Sequence, residues 1–230
     1  VTEAAVPVTN CQTTTNNPHN PMNVLLLGAS GRIGQRIANE LLERGHEVTG
    51  VSRSGEIDDA DFKAVAGDAT DPAKIAELAE GHDAVASALG PSGGEGVEIV
   101  PEMAEALIEG LRQTDVDRFV WTGGAGGLNV GPDTQVVETD EFPDELVPLA
   151  EAHIDAWEVI REVDDLQWSY IAPPAQIEPG ERTGEYRTAE GQLVASEDGE
   201  SYISMEDFAV AFVDELENSD EIHTQLAVGY

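Results

Sequence analysis

The chain has 230 residues and sets 46 Asp and Glu against 11 Lys and Arg, for a formal net charge of −35 with a single cysteine, Cys11. Such a balance repels nucleic acid and anionic membrane, and one cysteine cannot close an internal disulfide. The length suffices to bury one full core, so a single domain is expected.

The charge itself needs an explanation. Two like charges about 7 Å apart repel by roughly 0.6 kcal/mol in water, and dozens of such pairs would exceed the ~5–15 kcal/mol that holds a domain together. Molar salt shortens the Debye length to about 3 Å and removes most of that repulsion. The acids run along the whole chain and do not gather in a tail. This reads as a surface adapted to the salt-saturated cytoplasm of a halophile, with an acidic docking face for a basic partner as the alternative.

In chain order, residues Val1 to Pro21 are polar and rich in Thr and Asn, without the basic start and apolar centre of a signal peptide. They are expected to form a disordered extension ahead of a fold beginning at Met22. The apolar run Val24 to Leu27 then ends in Gly28-x-x-Gly31-x-x-Gly34 and passes into a helical stripe, Ile33, Ile37, Leu41. Strand, glycine turn and helix in that order form a nucleotide site. Gly28 can take positive φ, Gly31 admits a diphosphate to the backbone, and Gly34 packs helix on strand. The turn residues Ser30, Arg32 and Ile33 then border the phosphates, at the positive end of the helix dipole.

Strands are expected at Glu47 to Ser52 and Phe62 to Ala66, a helix at Pro72 to Glu80, and a strand at Ala84 to Ala88. A long helix from Val97 to Arg112 leads to a strand from Arg118 to Thr122, closed by Gly123-Gly124. After a glycine-rich loop come a helix from Asp144 to Val163 and a strand from Leu166 to Ala172. Pro173 to Ser201 is irregular and is read as a substrate-side excursion and lid. A helix from Met205 to Leu216 and a strand from Gln225 to Tyr230 complete the chain. Alternating β and α units imply a parallel, doubly wound Rossmann sheet in three α/β/α layers over residues 22–230, with the ligand crevice at the carboxyl ends of the strands. Trp121, Trp157 and Trp168 fall in core-forming patterns.

About 20 residues past the glycines, where an NAD-selective site places a carboxylate, the chain reads Ser52-Arg53-Ser54. A guanidinium flanked by hydroxyls suits a 2′-phosphate, which favours NADP over NAD, with Arg32 able to press on the same phosphate. Asp68, followed by Ala69, can meet the adenine edge, although Thr70 or Asp71 capping the next helix explains part of the motif equally well.

Other chemistries lack their residues. A dehydrogenase or epimerase of the Tyr-x-x-x-Lys type is excluded, because Asp59 stands four before Lys63 and Thr70 four before Lys74, the only lysines. The five histidines, His19, His46, His82, His153 and His223, are too scattered for a metal site, so no metal is expected. What remains is hydride transfer to an acceptor that stabilises its own anion, such as a flavin or a quinone.

The segments GASGRIG, GDATDP, SALGP, TGGAGGL, AHIDAWEVIREVDDLQWSYIAPP, PGERTGEYR and SYISMEDFAVAFVDELE resemble the atypical short-chain dehydrogenase group of NAD(P)H-binding, NADH-flavin reductase-like proteins. More distantly, they are similar to the mammalian flavin reductase that reduces biliverdin IXβ. The resemblance implies a nicotinamide pocket lined by Ala88, Leu89 and Gly90 after Ser87, by Gly123 after Thr122, and by Pro173-Pro174. It brings His153 to the pocket as the one titratable candidate, with Thr122, Tyr170 and Gln176 as hydrogen-bond donors. The chain departs from the mammalian pattern at Gly124, where that protein has serine, and at Ala175, where it has histidine. The expected activity is an NADPH-dependent reduction of a small flavin or quinone-like acceptor by a cytoplasmic monomer or homodimer. The alternative is a non-catalytic NADP(H) sensor.

Overall fold

The computed structural model describes residues 9–12, 20–58, 60–91, 96–218 and 222–230. Its elements are β1 (Thr9–Gln12), β2 (Asn23–Leu27), α1 (Arg32–Glu43), β3 (Glu47–Ser52), β4 (Lys63–Ala66), α2 (Pro72–Ala79), β5 (Ala84–Ser87) and α3 (Ile99–Leu111). There follow β6 (Arg118–Thr122), β7 (Asn129–Gly131), β8 (Thr134–Gln135), α4 (Val147–Arg161), β9 (Gln167–Ala172) and β10 (Gln176–Glu178). The last are β11 (Glu185–Glu190), β12 (Tyr202–Ser204), α5 (Met205–Asn218) and β13 (Thr224–Gly229).

Alternation along the strands builds the three layers. In β2, Val24 and Leu26 point to one face of the sheet and Leu25 and Leu27 to the other, the period-2 rule applied to a strand buried on both sides. The first face packs on Ile37, Ala38 and Leu41 of α1 and on Phe208, Phe212 and Leu216 of α5. The second packs on α2, α3 and α4 through Ile75, Leu107, Ala156 and Ile160. Pro72 sits in the first turn of α2, where Asp71 supplies the cap: its carboxylate accepts from the amides of Ala73 at 3.0 Å and Lys74 at 3.3 Å.

The nine-stranded sheet runs β1-β11-β13-β9-β6-β5-β2-β3-β4. From β13 to β4 every pairing is parallel, as the alternation of elements requires. The other edge differs from expectation. β11, inside the segment read as a lid, pairs antiparallel with β13 and carries β1 antiparallel beyond it. Thr9–Gln12 of the expected disordered extension are thus a strand, while residues 1–8 and 13–19 lie outside those described.

The excursion is also tied down. The buried Asp207 carboxylate accepts from the amides of Thr183 (2.8 Å) and Gly184 (2.7 Å) and from the Thr183 hydroxyl (2.6 Å). Arg182 forms a two-pronged pair with Glu40 of α1, at 2.7 and 2.8 Å. These bonds tie Arg182, Thr183 and Gly184 to both helices of one layer, at the sheet's edge.

Candidate active-site cleft

The carboxyl ends of β2, β3, β5 and β6 open into a cleft of about 770 Å³, within the ~300–1,000 Å³ common for cofactor and ligand sites. Each glycine of the turn after β2 has its own reason to be glycine. Gly28 has φ +77°, and a Cβ there would lie 2.5 Å from the carbonyl oxygen of Ala88. At Gly34 a Cβ would fall 2.1 Å from the Gly28 carbonyl oxygen, so its absence lets α1 rest directly on the turn. Gly31 is the N-cap of α1; it offers no capping side chain, and no acid occupies the helix's first turn. A Cβ at Gly31 would meet only the Gly28 carbonyl oxygen, at 3.2 Å, and otherwise stand in the cleft. The result is a concave backbone cradle at the positive end of a helix dipole, a fit for the diphosphate of a dinucleotide.

Beside the cradle, Arg53 follows β3 and Asp68 follows β4, both on the cleft wall. The Asp68 carboxylate accepts from the amide (2.9 Å) and hydroxyl (2.7 Å) of Thr70. Those bonds, and secondarily the charge of Arg53, hold it below the usual carboxylate range. The hydroxyls expected to assist Arg53 are used locally instead. Ser52 accepts from Gly55 N at 3.0 Å, and Ser54 accepts from Glu56 N at 3.2 Å, closing the turn that carries the arginine.

At the other end lie Thr122 and Gly123 from the end of β6, with His153 from α4. Tyr170 is not among the residues facing the cleft. Its ring fills the space a Gly123 Cβ would need, at 1.9 Å. Its hydroxyl accepts from Gly124 N (3.3 Å) and donates to the His153 carbonyl (3.1 Å). Burial pushes this phenol above its ordinary pKa. The expectation that Tyr170 donates to substrate is therefore corrected: it locks the β6 loop to α4. Burial also pushes the His153 imidazole down to about 4, so the ring is neutral at physiological pH. Its Nδ1 and the Thr122 hydroxyl are buried without a protein partner.

Of the sequence-predicted residues, Gly28, Ser30, Gly31, Arg32, Ile33, Arg53, Asp68 and Ala69 line the cradle half. Ala88, Leu89, Gly90, Thr122, Gly123 and His153 line the rest. Two do not line it. Gly34 is consumed in packing helix on turn, and Pro173 is buried where β9 ends, because the chain there turns aside into the parallel pair β10–β12. Gln176 stands on that pair, also outside the lining.

Sequence reasoning missed the apolar wall of Ile99 and Met103 on α3, Leu149 on α4 and Met205 at the start of α5. Leu149 precedes His153 by four residues, one helical turn, and that spacing alone could have paired them. Among the described residues no three His, Cys, Asp or Glu side chains gather as a metal site, and no helix is long and apolar enough to cross a membrane.

A family model described as NAD(P)H-binding matches residues 28–219, and the chain belongs to that family. It is similar to the crystal structure of a candidate exported protein from Burkholderia pseudomallei, at 45% identity and TM-score 0.85, covering 91% of this chain and 100% of that one. A candidate epimerase from Bacteroides thetaiotaomicron is 31% identical, with TM-score 0.83 over 92% of this chain and 98% of that one. A candidate NADH-flavin reductase from Streptococcus pneumoniae is 30% identical, with TM-score 0.81 over 90% and 99%. One fold here carries several names, so the chemistry has to be argued from the cleft.

Proposed function

We propose that this member of the NAD(P)H-binding family is an NADPH-dependent reductase of flavin or quinone-like acceptors, working by direct hydride transfer. The observation that carries the reading is the cleft's division into a glycine cradle flanked by Arg32 and Arg53, and a far end with no group that titrates near neutrality among its described lining residues. Gly28, Gly31 and the first amides of α1 would hold the diphosphate, Arg53 with Arg32 the 2′-phosphate, and Asp68 with Ala69 the adenine side. Ala88 to Gly90, Thr122 and Gly123 would border the nicotinamide.

A reduced nicotinamide supplies a hydride when bound, and the acceptor completes its two-electron reduction with one proton from solvent while the cofactor is left oxidised. The chain's own residues bind and orient. Thr122 and neutral His153 offer hydrogen bonds, and Met103, Leu149 and Met205 give the far end an apolar lining. Nothing there delivers a proton at neutral pH, which suits an acceptor whose own ring carries the charge and not a simple ketone or sugar. The name borne by the Streptococcus pneumoniae relative agrees with this choice. The Bacteroides thetaiotaomicron name does not, since a Tyr-x-x-x-Lys pair cannot be drawn from Lys63 or Lys74.

The test is NADPH oxidation in molar KCl on addition of riboflavin or menadione. Turnover of either supports the reductase; saturable NADPH binding without turnover of any acceptor replaces it with the sensor. Arg53→Asp should weaken NADPH binding at least about tenfold more than NADH binding, from loss of a charge-assisted contact. Equal effects on the two would overturn the NADP assignment.

A further inference from the structure

Charge is unevenly distributed along the cleft. Its cationic side chains among the described lining residues, Arg32 and Arg53, both belong to the α1 and β3 side. The sheet order puts the end of β6 three strands from the end of β3, about 14 Å away at ~4.8 Å per strand. Around that far end the wall is made of neutral groups: Met103, Leu149, Met205, Thr122 and His153. Two of these present buried polar atoms without a protein partner, the Thr122 hydroxyl and His153 Nδ1. Thr122 and His153 are the hydrogen-bonding side chains of that wall. A hydroxyl both donates and accepts, and a neutral imidazole does one or the other at each nitrogen; together they match a ring carbonyl and its neighbours. A carboxylate, sulfonate or phosphate in the same place would lose its water and find no cation in return.

Resting on the reductase reading above, we propose that the acceptor end of the cleft selects an uncharged, flat carbonyl compound. A quinone or an isoalloxazine ring would be held by Thr122 and His153, and ring systems that themselves bear an anionic group would be rejected. In the reaction this implies, one hydride from the reduced nicotinamide and one solvent proton convert quinone to hydroquinone, and the nicotinamide ends oxidised.

The test compares binding of menadione and of a naphthoquinone sulfonate to the protein saturated with oxidised NADP in molar KCl. No electrons move under those conditions, so intrinsic reactivity drops out, and the salt suppresses the long-range field of the acidic surface. Menadione should bind at least about tenfold tighter. Equal binding, or tighter binding of the sulfonate, overturns the proposal.

Leu149→Arg places a cation one helical turn before His153 and should shift the ratio toward the sulfonate by about tenfold. An unchanged ratio in the folded variant shows that the ring lies elsewhere and overturns the proposal too. If the variant fails to fold, the unmodified protein's ratio decides alone. The two readings fail separately. A neutral preference in binding without any NADPH turnover defeats the reductase and leaves this selectivity standing, whereas turnover with no preference in binding does the reverse.

Discussion

Replacing Gly31 and Gly34 by alanine, one at a time, separates the two jobs of the glycine turn. At Gly34 the new methyl would sit 2.1 Å from the Gly28 carbonyl oxygen, 2.9 Å from its carbonyl carbon and 3.1 Å from the Ala29 Cα, all of it backbone. Comfortable separations are about 3.5–4.0 Å, so α1 must retreat by more than ~1 Å from the strand it packs against. Overpacking of this kind costs about 1–3 kcal/mol, against which alanine returns some ~0.5–1 kcal/mol through helix preference and a less flexible unfolded chain. At Gly31 the methyl meets only the Gly28 carbonyl oxygen at 3.2 Å, and the residue's φ of −73° is open to any side chain. Gly31→Ala should therefore melt within a few degrees of the parent yet lose at least ~1.4 kcal/mol of NADPH affinity, about tenfold. Gly34→Ala should lose several degrees of melting temperature, at ~2–4 °C per kcal/mol for a domain of this size. Calorimetric melting and NADPH titration in molar KCl read both effects. A Gly34→Ala protein as stable as the parent would refute the packing argument, and a Gly31→Ala protein that binds NADPH normally would refute the phosphate cradle.

Two further expectations concern pH and salt. The folded-state pKa of His153, about 4, lies below the ~6.5 of an unfolded histidine, so as pH falls the unfolded chain takes up this proton first. His153 therefore costs stability progressively from about pH 6.5 down to 4, by about 2 kcal/mol after allowing for the ring's partial exposure to the cleft. Denaturant unfolding of His153→Gln beside the parent should show that slope only in the parent, and parallel curves would count against a buried neutral imidazole. Transfer from molar to tenth-molar KCl lengthens the Debye length from about 3 to about 10 Å and should lower the melting temperature by more than ~5 °C. A cooperative melt unchanged by the transfer would dispose of the reading as a salt-adapted surface.

The parallel half of the sheet and the cradle were legible because each follows from a local pattern. Four consecutive apolar residues, Val24 to Leu27, announce a strand buried on both faces, and the glycine spacing needs only the strand before it and the helix after it. The antiparallel edge was not legible. In β11 only Tyr186 and Ala189 are buried, between charged and polar neighbours, so the strand shows too little apolar alternation to be recognised. Its place is set by long-range bonds, such as those from Asp207 and Glu40, which no window of sequence contains. The apolar wall of the cleft failed to appear for the same reason. Met103, Leu149 and Met205 come from three different helices and converge only once the layers are packed. Ser52 and Ser54 illustrate the opposite error: hydroxyls beside Arg53 suggest phosphate ligands, but short-range bonds to their own turn claim them first.

Gly124 leaves little room for a side chain beside His153. A Cβ at position 124 would lie 3.1 Å from His153 Cγ and 3.2 Å from its Cβ, so a serine there would press on the imidazole before its hydroxyl were placed. Gly124 and His153 thus pack closely, and Tyr170 ties them by accepting from the amide of one and donating to the carbonyl of the other. The imidazole packed against Gly124 is neutral at physiological pH, because burial pushes its pKa down to about 4. On the reductase reading proposed above, such a cleft would orient an acceptor and leave it to bear its own negative charge until solvent supplies a proton. That condition is met by conjugated dicarbonyl rings and not by isolated carbonyl groups.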